Sequence, residues 1–293
     1  MAGELAALTA AFLWALATVM FGRLGKALSP LVLNLAKGAI ALILLALTLA
    51  LVGQSRAGLD RQAVGLLALS GVVGIGLGDT AYFAAINRLG PRRALLLETL
   101  APPLAALLAL VFLQEALGPR AWLGMALTLA GVVWVIAERV PGAAGQAKPD
   151  SRGIIYGVLA ALGQATGAVM SRAVLADTEV APMWSSLLRL GGGLIIILAI
   201  LRYQGPVAGP LRSLKSPRLL AGVALAAVLG TYLAIYLQQT ALKYAATGVA
   251  QALTSTSPLF VLPLAAALGD RVSPRAIAGA VVALVGVGIL VNG

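Results

Sequence analysis

The chain has no cysteine and no histidine, and only 11% of its 293 residues are charged. It therefore lacks thiolate nucleophiles, imidazole bases and the usual ligands of zinc or iron, and we expect no metal or other cofactor. No disulfide framework can form either. The shortage of charge is the most informative deficit, because a soluble domain carries about 25% charged residues.

Aromatic residues are also few, at 5%, whereas hydrophobic residues make up 60% of the chain. This composition predicts a polytopic membrane protein. Stretches of about 20 mostly apolar residues span a bilayer. Ten can be drawn, at 4–22, 31–52, 63–86, 94–113, 119–137, 153–175, 183–201, 218–241, 246–267 and 274–291. The net charge of +11 then indicates basic loops that face anionic lipid, and no nucleic acid is expected as a partner.

The sequence contains an internal repeat that covers about half its length. The tripeptide Pro119-Arg120-Ala121 recurs 155 residues later as Pro274-Arg275-Ala276. Further identities without a gap pair Gly124 with Gly279, Leu129 with Leu284, Gly131 with Gly286 and Val132 with Val287. One unit of five spans has therefore been duplicated.

We divide the chain into a first repeat (1–139), a linker rich in Gly, Ala and Pro (140–151) and a second repeat (152–293). Since five is an odd number, the second repeat must enter the membrane from the opposite face to the first. The predicted fold class is an all-α integral membrane protein, with ten transmembrane helices arranged as two inverted five-helix repeats.

Four ionisable residues fall within predicted spans: Lys37, Asp79, Glu98 and Arg189. A charge at mid-membrane is costly unless it is paired or solvated. One interpretation is a structural ion pair, for instance between Lys37 and Asp79. The other is functional: an acid takes up a proton during transport, or a basic residue binds a substrate carboxylate. Lys37 and Arg189 occupy equivalent places in the two repeats and the acids have no counterparts, so Arg189 either reaches across to Asp79 or Glu98 or meets an anion.

Prolines interrupt the fourth and ninth spans at equivalent depth, at Pro102 and Pro258. A proline inside a span frees a carbonyl group that polar side chains or substrate can satisfy. Thr254 and Ser255 precede Pro258 and could do so. Paired broken spans indicate the binding site of an inverted-repeat transporter. The alternative is a plain kink filled by Ser/Thr back-bonding.

Two further candidates for the substrate or ion pathway are Trp14 and Gln164, which lie mid-span and match each other at an offset of 150 residues.

Small-residue spacings such as Gly163-x-x-x-Gly167 favour close helix packing, either internally or at a dimer face, so a monomer and a homodimer both stay open. The chain has no Gly-x-x-x-x-Gly-Lys-Ser/Thr motif, which excludes transport driven by an ATPase of its own.

Several short motifs resemble those of a known family. The second repeat contains Ala-Leu-Lys-Tyr-Ala-Ala at 241–246, Pro258, Leu268-Gly269-Asp270-Arg271, and Gly279 to Gly286. The first repeat echoes them with Ala85-Ile86, Pro102, Leu113-Gln114-Glu115, Gly124 and Gly131. Over nearly the whole chain the pattern resembles the EamA type of the drug/metabolite transporter superfamily. Asp270 stands where that family usually has Glu.

This resemblance implies a secondary transporter that works by alternating access in the lipid bilayer. We expect it to move a small metabolite, an amino acid or similar compound, by export across a prokaryotic inner membrane. Protons or a counter-solute would drive it, with Asp79 or Glu98 as the proton site. A multidrug efflux carrier is the alternative within this class, although few aromatics and two intramembrane basic residues argue against organic cations. From other classes, a lipid-modifying enzyme would need a nucleophile, base or metal cluster, and a scaffold would leave the broken spans without a purpose.

Loop charge and family resemblance give opposite orientations. Loops that follow odd-numbered spans hold fourteen Lys and Arg residues, and loops that follow even-numbered spans hold five. The positive-inside rule places the first set in the cytoplasm and both termini outside. Members of the resembled family usually keep both termini in the cytoplasm.

Overall fold

The computed structural model describes residues 1–25, 27–89, 91–137, 150–204, 214, 216–260 and 273–292. These residues form helices and turns, with no β-strand among them. The α-helices are α1 (Ala2–Leu24), α2 (Pro30–Val52), α3 (Arg61–Gly71), α4 (Thr80–Leu89), α5 (Pro91–Glu98), α6 (Ala101–Leu113), α7 (Pro119–Ala137), α8 (Ser151–Leu175), α9 (Pro182–Gln204), α10 (Pro217–Ala227), α11 (Ala234–Tyr244), α12 (Thr247–Thr254) and α13 (Pro274–Val291). Two π-helical segments, π1 (Val72–Asp79) and π2 (Val228–Leu233), join α3 to α4 and α10 to α11.

Eight segments of the described chain are long and apolar enough to cross a membrane, and Pro119–Val135, which makes up most of α7, is a shorter apolar helix. They match nine of the ten predicted spans to within a few residues. The remaining one, the ninth span at 246–267, begins as α12 and extends beyond the described residues. Most of the predicted linker at 140–151 also lies outside the described residues. Leu51, Phe112 and Ile195 are each at least 70% exposed, as expected for side chains that face lipid.

Several helices begin at a Ser or Asp that is followed closely by proline or small residues. Ser29 accepts a hydrogen bond from the backbone N–H of Val32, and Pro30 occupies the first helical position of α2, where no N–H is needed. The same helix ends at Gly53, whose φ of 63° is in the left-handed region that glycine adopts without strain. Such local signals are why the span limits could be read from the sequence.

The two repeats pack on each other through equivalent helices. Helix α1 packs on π2 and α11, and its counterpart α8 packs on π1 and α4. Likewise α2 contacts π2 and α10, while α9 contacts π1 and α3. Helix α6 contacts α12, and α7 contacts α13, so these pairs join the copies of one element. The contacts are therefore those of a pseudo-two-fold arrangement.

The repeated glycines lie at the crossing of α7 and α13. A Cβ atom on Gly131 would lie 2.5 Å from the carbonyl oxygen of Gly279 and would also overlap the amide nitrogen of Ala283. A Cβ on Gly286 would lie 2.7 Å from the carbonyl oxygen of Gly124. Early residues of α7 thus meet late residues of α13, so the two helices run antiparallel. Since α7 and α13 are the equivalent helices of the two repeats, the two repeats have opposite orientations.

The helix bundle has two ends. At the terminal end, where α1 begins and α2, α6, α8 and α11 finish, Gly3 lies against Ala245. At the basic end, where α1, α4 and α9 finish, Arg88 donates to Asp150 at 2.7 Å. That hydrogen bond, with a second from the backbone N–H of Arg152, lowers the pKa of the exposed Asp150 carboxyl. The largest buried apolar cluster includes Ala7, Leu242 and Leu253 and fills the terminal half of the bundle.

Candidate functional site

A cavity of about 160 Å³ lies between the repeats, and spans 1 to 4 and 6 to 9 all contribute to its wall. Its lining includes nine of the residues that the sequence analysis selected: Trp14, Lys37, Asp79, Glu98, Gln164, Arg189, Thr254, Ser255 and Pro258. Pro102 is buried in the first turn of α6 and does not line the cavity, although its neighbour Ala101 does. Residues from eight separate segments of the sequence are therefore brought together.

The fourth span is broken where it meets the cavity. Helix α5 ends at Glu98, and α6 begins at Ala101 after a turn. Pro102 and Pro103 lie in the first turn of α6, where a missing N–H removes no helical hydrogen bond. The break leaves the Glu98 side chain at the end of a helix and facing the cavity.

The ninth span is broken at the equivalent place. Helix α12 ends at Thr254, and the chain is helical again from residue 257, so Pro258 again lies at the start of the second piece. The hydroxyl groups of Thr254 and Ser255 donate to the carbonyl oxygen of Gln251 at 3.0 and 2.9 Å. Back-bonding by these hydroxyls is thus present, and both residues also face the cavity.

Asp79 and Lys37 form the predicted ion pair. Lys37 Nζ lies 2.8 Å from Asp79 Oδ2, and the lysine side chain is only 5% exposed. The ammonium group also lies 5.8 Å from the ring centre of Phe21 and 5.5 Å from that of Phe83, which adds cation–π stabilisation. The second oxygen of Asp79 accepts from Gln164 Nε2 at 3.2 Å. Both charges are therefore matched, and the pair links spans 2, 3 and 6.

Arg189 is different, because no carboxylate among the described residues lies within ion-pair distance of its guanidinium group. The residue is 1% exposed. Its Nη1 donates to the carbonyl oxygen of Gly167 at 2.6 Å and to Ser171 Oγ at 2.8 Å, and its Nε has no partner in the described part of the chain. A Cβ on Gly74 would lie 2.6 Å from Nη2, so a larger residue there would collide with the guanidinium. The interpretation that Arg189 pairs with Asp79 or Glu98 is wrong for this conformation, because its hydrogen bonds hold it against α8.

Glu98 is the complementary case. Its Oε2 atom is shielded from solvent and has no hydrogen-bond partner among the described residues. No Lys or Arg nitrogen that the structure describes forms an ion pair with it. Within the described part of the chain, the cavity wall thus carries one cation and one acid without partners of opposite charge, in addition to the matched pair of Lys37 and Asp79.

Side chains from the first two spans satisfy backbone carbonyls of the π-helical segments. Asn34 Nδ2 donates to the carbonyl oxygen of Ile75 in π1 at 3.0 Å, and Trp14 Nε1 donates to that of Gly230 in π2 at 2.9 Å. The two acceptors are 155 residues apart, the offset of the repeat. A π-helical turn interrupts the regular α-helical hydrogen bonding and is frequent at functional sites. The sequence analysis did not predict these segments, and the glycines at 74, 76 and 78 were the available signal.

The site also contains two glutamines that the sequence offered only as further polar candidates. Gln238 and Gln251 line the cavity, and Gln238 Nε2 donates to Gln251 Oε1 at 3.5 Å. The sequence analysis gave no role to Glu115, which forms an ion pair with Arg172 at the terminal end. The signals available for Glu115 were the family resemblance and the internal repeat, which aligns it with Asp270, since its charge lies outside the predicted spans.

A family model matches the chain twice, over residues 1–137 and 151–292, and its description is the EamA-like transporter family. The chain belongs to this family. It is therefore a multi-pass membrane transporter of the drug/metabolite type, a family of transporters rather than enzymes. The two matches confirm the resemblance and the two-repeat layout.

Comparison with solved structures supports the same fold. Twenty-nine chains match this EamA-like transporter. One crystal structure superimposes with a TM-score of 0.78 over 98% of this chain and 95% of the other, at 19% sequence identity. At that identity the likeness establishes the fold alone. No curated protein sequence matches the chain.

Proposed function

We propose that this EamA-like transporter is a secondary active carrier that exports a small zwitterionic metabolite, an amino acid or similar compound, across the inner membrane. Ten transmembrane helices in two inverted repeats would expose the central cavity alternately to the two sides. The observation that carries the proposal is that Arg189 and Glu98, two opposite charges on the wall of one cavity, have no charged partner among the described residues.

The chemistry of the site favours a substrate that has both a carboxylate and an ammonium group. An unpaired charge away from water is costly, so a ligand group of opposite charge at each of the two positions would be strongly favourable. The planar guanidinium of Arg189 suits a carboxylate, to which it can donate two parallel hydrogen bonds. The cavity volume of about 160 Å³ suits a small molecule and is below the range of drug-sized sites.

Coupling to protons or to a counter-solute follows from the same acid. When no substrate ammonium is present, a proton on the Glu98 carboxylate removes the cost of an unpaired buried charge. Asp79 already has Lys37 and Gln164 as partners, so it is the less suitable of the two candidate proton sites. We therefore assign the proton site to Glu98 and a structural role to Asp79.

Multidrug efflux is a second candidate, because aromatic residues are concentrated at the cavity despite being rare in the chain. Trp14, Phe21, Tyr82 and Phe83 all line it. Such rings could stack on an organic cation that pairs with Glu98. Arg189 opposes this candidate, since its positive charge would repel the same ligand.

The decisive experiment is counterflow in proteoliposomes with pooled amino acids in one set and pooled organic cations in another, with and without a pH gradient. We expect exchange of amino acids, and a loss of roughly tenfold or more in apparent affinity in Arg189→Gln because a charge-assisted pair is removed. Arg189→Lys should retain part of the affinity. Arg202→Gln, the same change at an exposed site on α9, is the matched control and should leave exchange unchanged.

Glu98→Gln tests the proton site in the same assay. Accumulation driven by the pH gradient should be lost, while gradient-independent exchange persists at a lower apparent affinity, because Glu98 is also the proposed partner of the substrate ammonium group. Glu179→Gln, at an exposed position, is its control. Exchange of organic cations alone would favour the second candidate, and absence of any exchange would contradict both.

A further inference from the structure

A compact polar cluster lies at the terminal end of the bundle, and we call it the terminal latch: Glu115, Arg172 and Thr247. Glu115 lies in the connection between α6 and α7, just after Gln114, whose φ of 57° turns the chain. Its Oε1 accepts from Arg172 Nε at 2.5 Å. Both side chains are 17% exposed, so this ion pair is largely shielded from water.

The latch also satisfies the ends of two helices. Arg172 Nη1 donates to the carbonyl oxygens of Leu242 and Lys243, in the last turn of α11, at 2.9 and 2.8 Å. Glu115 Oε2 accepts from the backbone N–H and the hydroxyl of Thr247, the first residue of α12, both at 2.9 Å. A cation at a helix C-terminus and an anion at an N-terminus are each the favourable arrangement. One ion pair therefore fixes the turn between α11 and α12.

The latch joins the two repeats, because Glu115 belongs to the first and Arg172 and Thr247 to the second. Among the ion pairs that the structure describes, Arg88–Asp150 also connects the first repeat to the start of α8, but it lies at the basic end and is 40% and 38% exposed. Another cationic contact at the terminal end stays within the second repeat. There, Lys243 Nζ donates to the carbonyl oxygens of Thr178 and Val180 at 2.8 Å.

The latch is mechanically connected to the cavity through α12. Thr247 begins this helix and Thr254 ends it beside the cavity. The distance along the axis is about 10 Å at the usual helical rise. Gln251, between them, contacts Gln238 and Thr254 in the cavity wall. A movement of α12 that releases Thr247 would thus also move the wall.

We infer that the Glu115–Arg172 ion pair is the bond that must break for the cavity to open at the terminal end. This inference deepens the proposed alternating-access function, on which it rests, and assigns positioning roles to Glu115, Arg172 and Thr247. When the Glu115 carboxylate moves away from Arg172, the first turn of α12 loses its hydrogen-bond acceptor. The turn between α11 and α12 can then separate from the first repeat. Removing the carboxylate should therefore shift the population towards a conformation that is open at the terminal end.

The chain has no native cysteine, so a single introduced cysteine can report this opening without any substrate. Ala245, at the latch, is 6% exposed. In proteoliposomes, we expect a maleimide to react slowly with the cysteine of Ala245→Cys. Adding Glu115→Gln should make the reaction about tenfold faster, because the loss of a hydrogen bond to a charged group changes an equilibrium by about that factor. Asp150→Asn, which removes the exposed ion pair at the basic end, is the matched control and should leave the rate unchanged. An equal rate with and without Glu115→Gln would overturn the inference.

A disulfide provides a second measurement that keeps Glu115 intact. A Cβ on Gly3 would lie 3.0 Å from Cβ of Ala245, slightly shorter than the usual separation in a disulfide of about 3.5–4.5 Å. Oxidised Gly3→Cys/Ala245→Cys should stop counterflow, and a reductant should restore it. Undiminished counterflow in the oxidised protein would show that the terminal end need not open. If Glu115→Gln speeds the labelling but no counterflow is detected with any substrate, the inference about the latch stands and the proposed substrate is rejected.

Discussion

The four intramembrane charges differ in what surrounds each one. Lys37 and Asp79 are matched to each other, and aromatic rings and Gln164 complete their surroundings. Arg189 is held by a carbonyl and a hydroxyl, which orient a cation without neutralising it. The Oε2 atom of Glu98 has no partner in the described residues. Matched charges stabilise one arrangement of helices, whereas unmatched ones favour a ligand of opposite charge, so we assign structure to the first pair and binding to the second.

A double-mutant cycle at Lys37 and Asp79 tests the structural assignment. Lys37→Met and Asp79→Asn should each lower the free energy of unfolding by about 3–5 kcal/mol, because each leaves one buried charge unpaired. The double variant leaves none and should be more stable than either single variant. Thermal unfolding of purified protein in detergent measures this. Strictly additive losses would show that the two side chains do not stabilise each other.

At the scale of helices, the repeated glycines allow the bundle to close at its pseudo-two-fold axis. Helices α7 and α13 cross with backbone against backbone, so their contact is made by main-chain atoms and not by interdigitated side chains. The other glycine spacings in the sequence are also used internally. Gly167 lies against the carbonyl oxygen of Ser70, and Gly192 against that of Ala68. These glycines therefore pack inside the chain and do not indicate a dimer face.

Two glycines on one helix provide a matched test of this crossing. A Cβ on Gly286 would overlap the backbone nitrogen of Thr128, whereas a Cβ on Gly288 would meet nothing within 4 Å. Gly286→Ala should lower the free energy of unfolding by about 1–3 kcal/mol through overpacking. Gly288→Ala should be neutral or raise it by up to about 1 kcal/mol through helix propensity. Thermal unfolding in detergent compares them, and equal effects would mean that the close approach is not needed.

At the scale of the whole molecule, the cavity and the two ends define a conformation. The latch and the largest apolar cluster both lie at the terminal end. The cavity lining reaches towards the basic end through Phe21, Tyr82 and Leu95. Among the fourteen basic residues in loops after odd-numbered spans, those whose side chains the structure describes lie at that end: Arg23, Arg88, Arg152, Arg202, Arg218 and Arg275. The side that the cavity approaches is therefore the one that the positive-inside rule places in the cytoplasm.

Cysteine labelling in intact cells tests this orientation. Ser55 and Ser216 are both exposed, the first at the terminal end and the second at the basic end. With a maleimide that does not cross membranes, Ser55→Cys should react in intact cells, and Ser216→Cys only after the membrane is made permeable. Since the two substitutions are chemically identical, they control for each other. The opposite pattern would support termini in the cytoplasm, as in the resembled family.

The sequence by itself determined the membrane class, the limits of most spans, the repeat, the family and the breaks at Pro102 and Pro258. These follow from apolar run length and from proline and glycine chemistry, which act over a few neighbouring residues. It also offered the pairing of Lys37 with Asp79 as one interpretation, since an isolated charge in a membrane requires a partner.

Only the tertiary structure decided which of the intramembrane charges are matched and which are not. The sequence alone allowed Arg189 to pair with Asp79 or Glu98. In the structure Arg189 instead contacts α8, in a position that depends on the space left by Gly74. The π-helical segments and the latch likewise depend on atoms from helices far apart in the chain. Hydrogen bonds and ion pairs require atoms within a few ångströms, and the sequence holds that information only through the packed fold.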